Sequence, residues 1–251
     1  IQNFFQALEK TGTNLDLMNG IIAIIVEKTG PETAAQWCSQ KLRQDPKSMQ
    51  GLLGAVNLYS QTGQYNQALQ YINTCLGILQ PSQIEWVQLS LKKANLLTMA
   101  YSQTSDEQYL QQAITLMEEM LERMPNNYTI MNNLAYMLAD SNQQLDKALE
   151  YARKACQNEM GNPVYLDTYA YIQCLLGNYE EAHQALLRTI QLHEARNESI
   201  PWEVFKHLGM TQEGLGKKTE AAAAYRRAVS AAGIPSADKE VLEKKIQELS
   251  L

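Results

Sequence analysis

Three histidines, four cysteines and a few acidic pairs are the only groups here that invite a catalytic or metal-binding reading. His183, His193 and His207 show no H-E-x-x-H spacing, and no two lie four residues apart on one helix, so the usual helical zinc pair is missing. His193 and His207 flank a loop and would need Glu194 to complete a metal or acid–base set, and ordinary surface or interface histidines are the simpler reading. Cys38, Cys75, Cys156 and Cys174 form no C-x-x-C pair and each sits in an apolar helical pattern, as buried small hydrophobes do. Glu118-Glu119 and Glu180-Glu181 fall where a helix should face solvent, which suits charged surface better than a carboxylate dyad. Phosphate-binding glycine loops and the G-x-S-x-G elbow are also missing from the sequence. These residues predict no catalytic site, no metal and no cofactor.

Charge narrows the partners. The chain has 251 residues, a net charge of -6 and a pI near 5.2. Phosphate neutralisation needs clustered Lys and Arg, whereas here 21 basic residues are interspersed among 27 acidic ones. The pairs Lys92-Lys93, Lys217-Lys218, Arg226-Arg227 and Lys244-Lys245 each lie close to carboxylates. Nucleic acid is therefore not an expected partner. The longest apolar run, Gly20–Val26, is far shorter than the roughly 20 residues that span a bilayer, so no direct membrane insertion is expected. The chain opens on Ile1 rather than Met, as a processed or excised segment would, and its cellular compartment stays open.

The elements around these residues are helices. Ala, Leu, Gln and Glu abound, there are only 7 Pro, and runs of alternating β-branched residues are missing. An all-α fold follows. Ala34, Ala68, Ala113, Ala148, Ala182 and Ala221 each open an apolar stripe, at separations of 34, 45, 35, 34 and 39 residues. Turn glycines Gly63, Gly177 and Gly216 each precede one of these alanines by 5, and Pro46, Pro81 and Pro125 follow the first three by 12, 13 and 12. Two punctuation series held in phase mark a helical-hairpin repeat.

The individual hairpins carry the phrases Leu52-x2-Ala55-x3-Tyr59 with Ala68-x3-Ile72-x2-Cys75, Leu134-Ala135-x2-Leu138 with Ala148-x3-Ala152-x2-Ala155, and Leu208-Gly209 with Ala221-x3-Tyr225-x2-Ala228. In this the chain resembles the tetratricopeptide repeat (TPR) family over roughly residues 15–232, and its N-N-L-A-Y and D-T-Y-A-Y phrases resemble bacterial TPR-rich proteins. The resemblance implies a right-handed α-solenoid of about six hairpins with a C-terminal capping helix. The expected layout is one domain: a helix at 1–14, repeats at 15–48, 49–82, 83–127, 128–162, 163–201 and 202–234, and the cap at 235–251. The long interval before Ala113 predicts an extended helix over about Gln83–Gln103 followed by a longer turn, and the one before Ala221 a loop near Glu194–Pro201.

The family binds extended or helical protein segments in a concave groove lined by the first helix of each hairpin. Transferred to this sequence, the groove residues are Asn57, Lys92, Asn95, Met99, Asn132, Tyr136, Asp167, Tyr171, Lys206 and Met210. Asn57, Asn95 and Asn132 are expected to project from successive repeats and clamp a peptide backbone, since an amide both donates and accepts. The tyrosines and methionines would supply anchoring platforms, while Asn133 would serve packing or capping. The family's basic carboxylate clamp is not reproduced, because only Lys92 and Lys206 are basic among these positions. The resemblance implies a non-enzymatic scaffold with a protein or peptide ligand, within an envelope or export assembly. A recruiting module of a larger enzyme and a self-assembling homo-oligomer are the alternatives.

Overall fold

The structure is a computed structural model that describes residues 2–12, 14–159 and 161–249. Among the described residues there are fourteen α-helices and no strand. They fall into two compact units, Ile1–Arg123 and Met124–Leu251. The first holds α1 (Gln2–Lys10), α2 (Leu15–Thr29), α3 (Pro31–Gln44), α4 (Met49–Gln61), α5 (Tyr65–Ile78), α6 (Ile84–Thr104) and α7 (Glu107–Arg123). The second holds α8 (Tyr128–Asp140), α9 (Leu145–Asn158), α10 (Pro163–Leu175), α11 (Tyr179–Ala195), α12 (Trp202–Gly214), α13 (Lys218–Ser230) and α14 (Ser236–Leu249). From α2 onward, each first helix packs on its own second helix and on the hairpin beside it, the helical-repeat architecture that the phased alanines imply.

Local chemistry starts and stops these helices. Asn14, Asn127 and Asn162 accept through Oδ1 from Leu17, Ile130 and Val164 amides at 2.9, 3.1 and 3.0 Å, and Ser48 Oγ accepts from the Gly51 amide. These caps satisfy amides that the helix itself leaves open. Gly63, Gly177 and Gly216 have φ of 71°, 81° and 73°, where a side chain is disfavoured, and they close the turns between α4 and α5, α10 and α11, and α12 and α13. The turn between α8 and α9 uses Asn142 instead, at φ 52°. Its flanking Gln143 amide reaches the Leu138 carbonyl at 2.8 Å, as the Asn178 amide reaches Gln173 at 2.9 Å.

All six phased alanines are fully buried. The glycines of the first helices go further. A Cβ on Gly54 would stand 2.8 Å from the Trp37 ring, and one on Gly209 would overlap the Tyr225 ring. Large rings seat where a neighbouring helix has no side chain, which sets the approach of α4 to α3 and of α12 to α13. At the end of the second unit Leu242 of α14 is buried, with Ile246 and Leu249 packed on the same core as Phe205, Leu208 and Tyr225, so α14 covers that core as a cap does.

One expectation needs correction. The turn after the extended helix α6 is short: α6 ends at Thr104 and α7 starts at Glu107, with Ser105 at φ 56° closing the connection. The extra residues lengthen both helices, because 21 and 17 residues of continuous helix satisfy their own backbone where a loop would leave it to solvent. Helix α1 is not isolated. Leu8 is buried, and Glu9 accepts from Trp37 Nε1 at 3.3 Å and from Lys41 Nζ at 2.6 Å.

The small-residue contacts predict opposite outcomes for two glycine substitutions. Gly209→Ala is expected to lower stability by about 1–3 kcal/mol through overpacking against Tyr225. Gly20→Ala, mid-helix in α2 with open space around it, is expected to raise stability by about 0.5–1 kcal/mol. Urea unfolding midpoints check both, and equal shifts in one direction would remove the Tyr225 contact as the cause.

Candidate functional site

The transferred positions separate by burial. In the first unit Asn95 and Met99 stand exposed on α6, one turn apart. Lys92, a turn earlier, is half-buried; desolvation lowers its pKa and the Asp16 carboxylate partly restores it. Asn57 is not exposed. It is fully buried on α4, and neither amide atom has a hydrogen-bond partner. Helices α2, α3 and α5 surround α4, and residues Gly51–Leu58 are all buried, so no open face remains at that position.

In the second unit Asn132 is also a correction, at 3% exposure with Oδ1 unpartnered. It lies in the second turn of α8, a helix that packs on both α9 and α10, while Asn127 caps the helix. Asn133, expected to pack or cap, is the more exposed of the two and caps nothing. Tyr136, one turn beyond Asn132, lies near Tyr171 of α10, with ring centroids 5.8 Å apart. Tyr171 in turn stacks on His207 of α12, with centroids 4.3 Å apart and planes within 13°. Asp167, one turn before Tyr171, accepts from His207 Nδ1 at 3.0 Å. Four residues from three successive first helices thus form one cluster. Lys206 and Met210 do not join it: Lys206 Nζ sits 5.5 Å over the Trp202 ring, and Met210 packs on the core.

Electrostatics at the cluster are acidic. Burial, then the carboxylates of Asp140, Asp167 and Glu203, push the Tyr136 hydroxyl far above the ordinary tyrosine value. Burial and Asp140 push Tyr171 up to about 12. Both hydroxyls remain protonated, so they act as hydrogen-bonding groups and the rings as apolar faces.

His207 escaped the sequence reading, which placed it among ordinary histidines. A signal existed: Asp167 and His207 lie 40 residues apart, one repeat plus one position, which places them on facing turns of neighbouring first helices. His193 pairs separately, with Nδ1 3.2 Å from Glu198 Oε2 rather than with Glu194. Among the described residues no three His, Cys, Asp or Glu gather as a metal site, and no helix is long and apolar enough to cross a membrane.

Fold and cluster together define a helical-repeat scaffold whose chemistry-bearing side chains belong to the first helices of its hairpins. The chain belongs to the tetratricopeptide repeat family: residues 108–163 and 176–237 match one sequence model of that description and residues 51–78 match another. No curated protein matches the chain. Solved structures share the fold. PilW, described as a widely conserved type IV pilus biogenesis factor, is 12% identical with a TM-score of 0.64, over 94% of this chain and 98% of its own. A tetratricopeptide repeat protein from Parabacteroides merdae is 13% identical (TM-score 0.54, 96% and 100% covered). MamA from Desulfovibrio magneticus is 16% identical (TM-score 0.54, 73% and 97% covered). Proteins of this fold are generally scaffolds for protein–protein interaction.

The cysteines behave as core. Burial raises the Cys38 and Cys75 thiols to about 12 and Cys156 to about 11, and lifts Cys174 as well. Thiolate is the reactive form, so raised values suppress reaction at mildly alkaline pH. Labelling with a thiol reagent is expected to run about tenfold slower or more in the native chain than in urea. Half-buried Cys156 should react first. Equal native and unfolded rates would contradict the burial.

Proposed function

We propose that the chain is a non-enzymatic scaffold that binds an extended or helical segment of a partner protein along the first helices of its hairpins. One observation carries this reading. Polar, aromatic and thioether side chains with exposed surface lie on those helices: Asn95 and Met99 on α6, and half-exposed Tyr136 on α8 beside Tyr171 of α10. A bacterial envelope or export assembly is the narrower setting we favour, supported by the fold likeness to a pilus biogenesis factor. Self-association is a second reading, favoured by Leu17 and Ile24, which stand 52% and 48% exposed two turns apart on α2.

Affinity capture from the source organism tests the first reading. The wild-type chain is expected to recover a partner that Asn95→Ala/Met99→Ala recovers in several-fold lower yield, since both residues are exposed and neither supports the core. Equal recovery by both baits would remove α6 from the binding face. Light scattering over a dilution series tests the second, and a mass that stays monomeric throughout excludes it.

A further inference from the structure

The Tyr136–Tyr171–His207 cluster has hydrogen-bonding capacity left over, and its buried unpartnered atoms are acceptors. Asn132 Oδ1, buried and without a partner, is an acceptor. His207 is fully buried and gives its Nδ1–H to Asp167, so in the neutral ring the unpartnered Nε2 is an acceptor as well. Asp140 and Glu203 act on the Tyr136 hydroxyl and form no ion pair among the described residues. Lys206, the one Lys or Arg on these three helices, is turned onto the Trp202 ring, and Arg227 of α13 onto the Phe205 ring. What remains is a half-exposed Tyr136 ring edged by carboxylates, with unfilled acceptors buried at Asn132 and His207.

We propose that this face of α8, α10 and α12 takes an arginine side chain carried by an extended segment of the partner protein. The inference rests on the scaffold reading and names the chemistry of its ligand. A guanidinium is planar, lies flat on an aromatic ring, and has five N–H donors with no acceptor, which complements the Tyr136 ring and the Asp140 and Glu203 carboxylates beside it. A lysine ammonium offers charge without the plane, and an acidic segment meets three carboxylates. Net charge agrees, since a chain at -6 draws cationic segments and repels acidic ones.

Selection of a random peptide library on the full chain provides the test. Recovered peptides are expected to be enriched in arginine. The strongest, resynthesised with citrulline in place of arginine, should bind about tenfold more weakly, because the plane is kept while the charge and two N–H donors are lost. An Asp140→Asn/Glu203→Gln chain with unchanged helicity should bind the arginine peptide several-fold more weakly. The citrulline comparison needs no variant, so it decides even if the double substitution disturbs folding. Recovery of peptides without arginine enrichment, or equal binding of the citrulline form, overturns the arginine inference and leaves the scaffold reading standing. Recovery of no peptide at all overturns both.

Discussion

The structure depends on how closely neighbouring helices can approach, and that distance is set by the side chains that are missing at the contact. Helices pack at about 8–10 Å according to the residues between them. Six alanines, one per hairpin, are buried to zero exposure here, and in each unit a glycine takes a ring against bare backbone: Gly54 under Trp37, Gly209 under Tyr225. A thin residue on one helix admits a thick one from the next, so small members need not leave the interior empty. A single hairpin buries only part of its apolar face, and stacking supplies the rest.

Close stacking also decides the fate of polar residues. A first helix that is flanked on several sides has little open surface, and α4 and α8 bury nearly their whole central stretch. Polar residues there must find partners inside or leave capacity unused. Thr168, Thr189 and Thr211 solve the problem locally by donating to carbonyls one turn back on their own helices. Asn57 and Asn132 have no such local route and keep unpartnered atoms. An unmade hydrogen bond in a buried amide costs about 1–3 kcal/mol, so these asparagines reduce stability relative to an apolar residue of the same shape.

This contrast explains what could be read from the sequence. The alanine and glycine series placed the hairpins because close approach is a property of one residue at one position, and it repeats with the repeat. The ends of several helices were legible for the same reason, since a turn glycine acts within a few residues of itself. Burial of Asn57 and Asn132 was not legible. It depends on helices from neighbouring hairpins, and groove positions transferred from the family say nothing of how tightly the next hairpin closes. The pairing of His207 with Asp167 likewise joins residues 40 apart and becomes visible only when α10 and α12 are side by side. The short turn after α6 was missed because a long repeat interval fixes the number of extra residues, and backbone satisfaction decides that they join the helices.

The same tight packing that buries these polar groups also holds the candidate site in place. His207 is fixed by its Nδ1 bond to Asp167, by the Tyr171 ring against its face, and by full burial. Asp167 and Tyr171 sit on successive turns of α10, and Asn132 and Tyr136 on successive turns of α8, so the helices carry the geometry and no loop has to be ordered. Association loses free energy wherever side chains must be immobilised, at about 0.5–1.5 kcal/mol for each rotamer-rich one. Tyr136, Tyr171 and His207 have largely lost that freedom on folding. A segment that engages them therefore contributes its own ordering cost and little from this side of the interface. In this way the Asp140 and Glu203 carboxylates, which form no ion pair among the described residues, stand on a framework already ordered for a cationic partner.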